Sequence, residues 1–356
     1  MKPGKPKKST IYDIASKTGF SASTVSRVLS GSTYPVHEQT RRKILECAQE
    51  LHYVRSAQRA RFGFRDLEIG VILPNISNPF YPQIAMGILS EAKKYNCNVF
   101  FCDSFRSEEN QREYIRSLLR KKIRGIIISP LFKHFSELEL LRKKGVEIVV
   151  VDQEIEGISC SQVQFDTVKG GILAVDYLAS MGHREIAFLG APLTRISRRE
   201  ALEGFKIGMM KNGLPVREEN VILSDIEEEI GGSYEFENGR ILAERFMKLQ
   251  NRPTAIMAVN DMTAIGIMQW LMLEGRVSIP GQVSIIGFDN VYLAKMVTPP
   301  LTTIQQPAYE TGKLALKLLM DRINGGGSDV YSISLEPELI IRGTVRDLNN
   351  KIEYWR

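Results

Sequence analysis

Cysteine and histidine are both scarce in this chain, with four of each in 356 residues. Cys47, Cys97, Cys102 and Cys160 are scattered without CxxC spacing, which argues against a zinc site and against a disulfide framework. His37, His52, His134 and His183 are far apart in sequence. His183, in GHREIAFLG, falls at a helix C-terminus before a strand, where a cation is favoured, so a structural role is expected. No apolar run reaches the length of a membrane span, and the basic start MKPGKPKKST has no apolar core behind it. The expectation is therefore a cytoplasmic protein with no signal peptide and no membrane partner. Catalytic signatures are missing too: there is no GxGxxG after a strand, no GxxxxGKS/T, no HExxH and no GxSxG. GGG at 325–327 ends a helix and opens a loop rather than cradling a phosphate. These absences point away from an enzyme, a metal and a cofactor.

What is present is ordinary in bulk and uneven in distribution. The length favours two or three domains, and 43% apolar with 25% charged residues suits a soluble globular protein. The net charge is +6, and the basic excess gathers near the N-terminus: Lys2, Lys5, Lys7 and Lys8, then Arg41, Arg42, Lys43, Arg55, Arg59, Arg61 and Arg65. An excess localised in this way points to a phosphate backbone.

Within it lies TIYDIASKTGFSASTVSRVLSG, residues 10–31. Ile11, Ile14 and Ala15 form one short helical stripe, and Ala22, Val25, Val28 and Leu29 form a second after a break at Gly19. Thr10 with Asp13 reads as a capping box and Ser21 as an N-cap. Two amphipathic helices could make a plain hairpin, but with Gly19 in the tight turn they also fit a helix-turn-helix. There the second helix would lie in the major groove, and Ala22, Ser23 and Arg27 are the candidate base readers. The wording TIYDIA, the glycine, SxSTVSRVL and SG resembles the headpiece of the lactose repressor (LacI/GalR) family, and the resemblance covers almost the whole chain. It makes Thr10, Tyr12, Ser21, Thr24 and Ser26 further DNA-facing candidates.

A third helix fits Glu38 to Leu51, where Ile44, Leu45, Ala48 and Leu51 can close a small core. HYVRSAQRARFGFRDLE then has four arginines and few apolar residues, the composition of a linker. The resemblance implies a hinge helix here, with a side chain wedged into the minor groove. Arg59, Arg61 and Phe62 belong to that set: counting from Tyr53 makes Phe62 the wedge, and counting back from Ile69 makes it Arg61. Two departures from the family pattern are Arg55, where proline is usual, and a longer loop at GSTYPV.

From Glu68 the pattern changes to IGVIL, NVFFC, GIIIS, IVVV, IAFLG, ILS, AIMAV and VSIIGF, separated by amphipathic stripes. Such runs belong to parallel sheets buried on both faces. Eight strands could close a barrel, but a polar interruption near GISCSQVQFD and a fresh start at His183 fit two doubly wound sheets better. The expected fold class is α/β: a helix-turn-helix headpiece plus a periplasmic-binding-protein-like core of two doubly wound parallel-sheet lobes. The expected divisions are a headpiece at 1–52, a hinge at 53–67, one lobe at 68–165 with 303–328, and the other at 166–302 with 329–346. The resemblance supplies the crossings near Phe165, Thr302 and Asp329.

Ligands of open α/β sheets sit beyond the carboxyl ends of strands. The residues with that address are Phe80, Tyr81, Asp166, Arg195, Ser197, Tyr234, Asn260 and Asp289. One departure bears on the ligand. The family often has arginine three residues before the glycine of its xxGF motif, and REALEGF has Ala201 there. Either Arg195, Arg198 or Arg199 takes over, or the effector lacks the group that arginine would hold. The expected function is a transcriptional regulator, a repressor by family, that binds double-stranded operator DNA as a homodimer and answers to a sugar-like small effector. TVRDLNNKIEYWR after Gly343 is too short for the leucine heptads of a tetramer. A sugar receptor of the periplasmic type and an α/β enzyme are the rival readings.

Overall fold

The computed structural model describes residues 11–30, 36–51, 67–131, 136–153, 155, 157–226, 233–325 and 329–349. The chain divides into two units between Leu67 and Glu68.

The first unit is a three-helix headpiece: α1 (Ile11–Thr18), α2 (Ala22–Ser30) and α3 (Glu38–Glu50). Its core is Ile14, Val25, Val28, Ile44, Cys47 and Ala48, one stripe from each helix. Gly19 turns the chain between α1 and α2 at φ +74, a conformation most side chains resist, while its amide still closes on Ala15. Ser21 Oγ accepts the Thr24 amide at 3.2 Å, the N-cap expected for α2. The capping box at Thr10 and residues 53–66 of the expected 53–67 hinge lie outside the described residues, and the last hinge position, Leu67, is the first residue of a strand.

The second unit carries two six-stranded sheets. In chain order its elements are β1 (Leu67–Leu73), α4 (Phe80–Tyr95), β2 (Cys97–Asp103), α5 (Glu108–Lys121), β3 (Gly125–Ile128), α6 (Ser136–Lys143), β4 (Glu147–Val151) and β5 (Ser161–Phe165). After these come α7 (Thr167–Ser180), β6 (Ile186–Gly190), α8 (Ile196–Lys211), β7 (Val221–Leu223), α9 (Tyr234–Met247), β8 (Ala255–Ala258), α10 (Asp261–Leu273) and β9 (Ser284–Asp289). The chain finishes with β10 (Thr302–Gln305), α11 (Ala308–Ile323), β11 (Ser332–Leu335) and β12 (Glu338–Ile340). The sheet orders are β11-β5-β4-β3-β1-β2 and β12-β10-β9-β8-β6-β7, two open sheets rather than a barrel.

Continuous apolar strands are explained by helices on both faces. In β6, Ile186 and Phe188 join the core under α7 and α8, while Ala187 and Leu189 join the one under α9 and α10. Each fully buried phenylalanine, such as Phe188 or Phe246, contributes about 1.5–3 kcal/mol through area removed from water. Helix pairs close over the sheets at glycines: a methyl group on Gly87 of α4 would stand 2.0 Å from the Tyr309 carbonyl oxygen of α11, and one on Gly312 of α11 2.0 Å from that of Ile84.

The structure departs from the sequence reading at the polar strands. GISCSQVQFD is not an interruption, because Ser161–Phe165 forms β5, paired on both sides by β4 and β11. Its buried Gln162 is satisfied by the backbone of Ile155, which donates to and accepts from the side-chain amide at 2.8 Å each. The second crossing falls after Gln305 rather than near Thr302, since β10 pairs with β9 in the second sheet. The third falls after Leu335 rather than near Asp329, since β11 pairs with β5 in the first. Residues 303–305 thus belong to the second lobe and 329–335 to the first.

Candidate effector cleft and DNA-binding helix

In the headpiece, α2 presents an exposed Arg27 on the side away from Val25 and Val28, with Ala22 and Thr24 half-buried in its first turn. Ser21 and Thr24 hydrogen-bond through their hydroxyls at 2.8 Å, so both serve the N-cap as well as the surface. Tyr12 lies on α1 and Ser23 and Ser26 on α2. Thr10, Arg59, Arg61 and Phe62 lie outside the described residues.

In the core, the carboxyl ends of strands from both sheets meet at one cleft. Phe80 and Tyr81 follow β1, Arg195 and Ser197 follow β6, Asn260 follows β8, and Asp289 ends β9; all six line it. Two expected residues stand apart. Asp166 caps α7, accepting the Lys169 amide at 2.8 Å, and Tyr234 gives its hydroxyl proton to the Ile226 carbonyl at 2.8 Å. The lining further includes Asn78, Arg106, Asp152, Arg198, Phe288 and Gln306. Their signal was available in the sequence: Asp152 directly follows IVVV, and Arg106 follows NVFFC by four residues.

The polar groups form a chain across the cleft. Tyr81 donates its hydroxyl to Asp152 Oδ2 at 3.1 Å, which also accepts from Ser129 Oγ at 3.0 Å, and Arg195 Nη1 reaches the Tyr81 oxygen at 3.3 Å. Gln306 Nε2 donates to Asp289 Oδ1 at 2.9 Å. Behind Asp289, Asp261 accepts from Thr303 Oγ1 at 2.5 Å and from the Val291 amide at 2.8 Å. Phe80 packs edge-on against both Tyr81 and Phe165, at 5.2 and 5.6 Å between ring centres.

Burial dominates the electrostatics. It raises the Asp152 carboxyl, against the opposing pull of Arg195 and the two hydroxyl donors. It pushes Asp261 up to about 7, again against its donors. Asp289 is raised well above the usual carboxylate range by burial and then by repulsion from Asp261, Asp152 and Glu235. The Tyr81 phenol is raised by burial and by Asp152, which keeps it a donor. Of the eight described non-glycine residues with positive φ, five stand at these strand ends: Phe105, Arg106, Asp152, Asp289 (φ +114) and Asn290. Strained backbone of this kind persists where surrounding structure over-determines it, as at binding sites.

Ala201 lines the cleft where the family often has arginine, and the structure separates the three candidate replacements. Arg195 and Arg198 line the cleft, Arg198 with Nη1 on the Pro192 carbonyl at 3.1 Å. Arg199 is exposed and bonds the Leu193 carbonyl instead, at 2.9 Å. His183 has a structural place, as expected, but not one that favours a cation: it is buried, with Nδ1 against Thr254 Oγ1 at 2.8 Å and Nε2 against the Arg346 carbonyl at 3.2 Å, and burial lowers its pKa.

Comparison with known proteins places both units. Residues 10–56 match the family described as bacterial regulatory proteins, lacI family, and residues 66–341 match periplasmic binding proteins and sugar binding domain of LacI family. The transcriptional repressor PurR of Vibrio parahaemolyticus is 32% identical over 343 residues, covering 96% of this chain and 99% of the relative. The transcriptional regulator DegA of Bacillus subtilis is 32% identical over 346 residues, with the same two coverages. Among solved structures, a LacI family regulator from Enterococcus faecium with bound ribose is 30% identical, with a TM-score of 0.70, over 79% of this chain and 99% of that one. The operator-bound lac repressor dimer, 24% identical over 96% of this chain and 100% of that one, shares the fold with a TM-score of 0.72. Headpiece and core alike therefore assign the chain to the LacI family, as a DNA-binding transcriptional regulator controlled through its ligand-binding core.

Proposed function

We propose that this regulator is a repressor whose operator affinity is set by a small, neutral, polyhydroxylated effector of the sugar class bound between the lobes. The observation that carries the reading is the makeup of the cleft. Each of the three arginines at the cleft is already engaged within the protein, Arg106 by Glu235, Arg195 by the Tyr81 hydroxyl and Arg198 by the Pro192 carbonyl, while paired donors and acceptors beside Phe80 suit hydroxyl groups. The ribose in the Enterococcus faecium relative supports the same class. With Ala201 in the place of the usual arginine, the effector needs no carboxylate or phosphate there.

DNA recognition rests on α2 with Arg27, and on the linker at 53–66 as the hinge that transmits lobe closure. A two-fold operator calls for a two-fold protein, and the reading is a homodimer through the core. Met86 and Leu89 on α4, Phe101 on β2 and Phe105 after it are exposed apolar side chains of the kind dimers bury. Such a protein works in the cytoplasm and has no catalytic step.

A thermal-shift screen of neutral pentoses and hexoses, their phosphates, sugar acids and nucleobases tests the effector class. A ligand at a hundred times its Kd adds about 2.7 kcal/mol of stability. A shift with a neutral sugar supports the reading. Shifts confined to phosphates, acids or nucleobases would replace it.

A further inference from the structure

From the first lobe, Arg106 reaches across the cleft to Glu235 on the first turn of α9 in the second lobe. Both side chains are buried in the pair, 10% and 3% exposed, and Asn78 of the first lobe also donates to Glu235, at 3.4 Å. Nothing about this pair depends on a ligand. We propose that Arg106 and Glu235 form a cross-lobe latch that fixes how much of the unliganded protein is closed, and so sets effector affinity without Glu235 touching the effector.

The argument starts from where each charge is rooted. Arg106 does not dangle from a loop: its backbone is left-handed (φ +60), its amide is held by the Pro74 carbonyl at 2.8 Å, and Asp103 Oδ1 fixes the Phe105 amide before it at 2.9 Å. Ser107, next in line, caps α5. Glu235 sits where the free amides of α9 favour an anion. The two charges therefore move with their lobes. With the lobes apart, both are hydrated; with the lobes together, both are desolvated and stable only because they are paired. Removing one charge takes away the opposite charge that offsets the burial of the other, a cost that closed molecules bear and open ones avoid. A two-state protein answers by opening. When Glu235 is the partner removed, apparent effector affinity then falls in proportion to the closed fraction, although the cleft lining is unchanged.

The proposal rests on the two-lobe reading of the core, and its test needs no effector. Genetically encoded spin labels at exposed Glu113 on α5 and Lys206 on α8, one per lobe, report the interlobe distance in full-length, ligand-free protein. Excess unlabelled chain keeps labelled protomers apart. The wild type should populate mainly the shorter distance. Glu235→Gln should lower the ratio of short to long by about tenfold or more, and Glu235→Asp, which keeps the charge, should lower it less. Arg106→Gln probes the pair from the other lobe should Glu235→Gln not fold. Wild-type distance distributions in both Glu235→Gln and Arg106→Gln would overturn the latch. If the distances shift as expected but no ligand stabilises the protein, the latch stands and the effector reading fails.

Discussion

Asp261 has no contact with solvent and gathers three donors under the cleft floor, the Thr303 hydroxyl and the Val291 and Asn290 amides, yet burial still pushes its carboxyl up to about 7. A buried acid raised above its unfolded range favours the fold while protonated; that contribution is whole below about 4 and is lost as pH rises through about 7. Asp261→Asn removes the titration. The stability of the wild type relative to this variant should therefore decline between pH 5 and pH 8 in parallel urea titrations, and a pH-independent gap would contradict the placement. In the headpiece, Arg27→Ala should cost about 1–3 kcal/mol on a selected operator and far less on random duplex. Equal losses in fluorescence anisotropy would demote Arg27 to a phosphate contact. Single residues were legible where chain order alone gives the address: Phe80, Tyr81, Arg195 and Asp289 each follow an apolar run. Asp166 and Tyr234 have the same address but spend their polar atoms on local backbone, which strand position cannot reveal.

Helices and apolar strands were read from periodicity because both faces of each sheet are covered, and burial then dictates composition. Strands β5 and β11 were not, since Ser161, Gln162, Ser332 and Ser334 derive their extended form from neighbours distant in sequence. The lobe crossings moved for the same reason. At this scale the helix pairs are the most sensitive elements. Gly87→Ala sets a methyl group against the backbone of α11, which cannot rotate away, and should destabilise the core by about 3 kcal/mol. Gly145→Ala, at φ +75 with open space around it, should lose only about 1 kcal/mol from backbone strain. Urea midpoints of the two variants separate packing from conformation, and equal losses would show that the α4–α11 contact yields.

For the whole molecule, sedimentation at micromolar concentration should give twice 40.2 kDa, and Leu89→Glu should shift it towards the single-chain mass. A fourfold mass, or a dimer indifferent to Leu89→Glu, would place the interface elsewhere. The central claim is that occupancy of the cleft changes operator affinity. The direct measurement is anisotropy of a labelled operator, selected from random duplex, titrated with the wild type, Arg195→Ala and Asp289→Asn, with and without the sugar that gives the largest thermal shift. The account predicts a change of operator Kd of about 5–150-fold in the wild type, the usual range of coupling between sites, and a much smaller change on adding ligand in both variants. An operator Kd indifferent to saturating ligand in the wild type, or a full response in both variants, would contradict it.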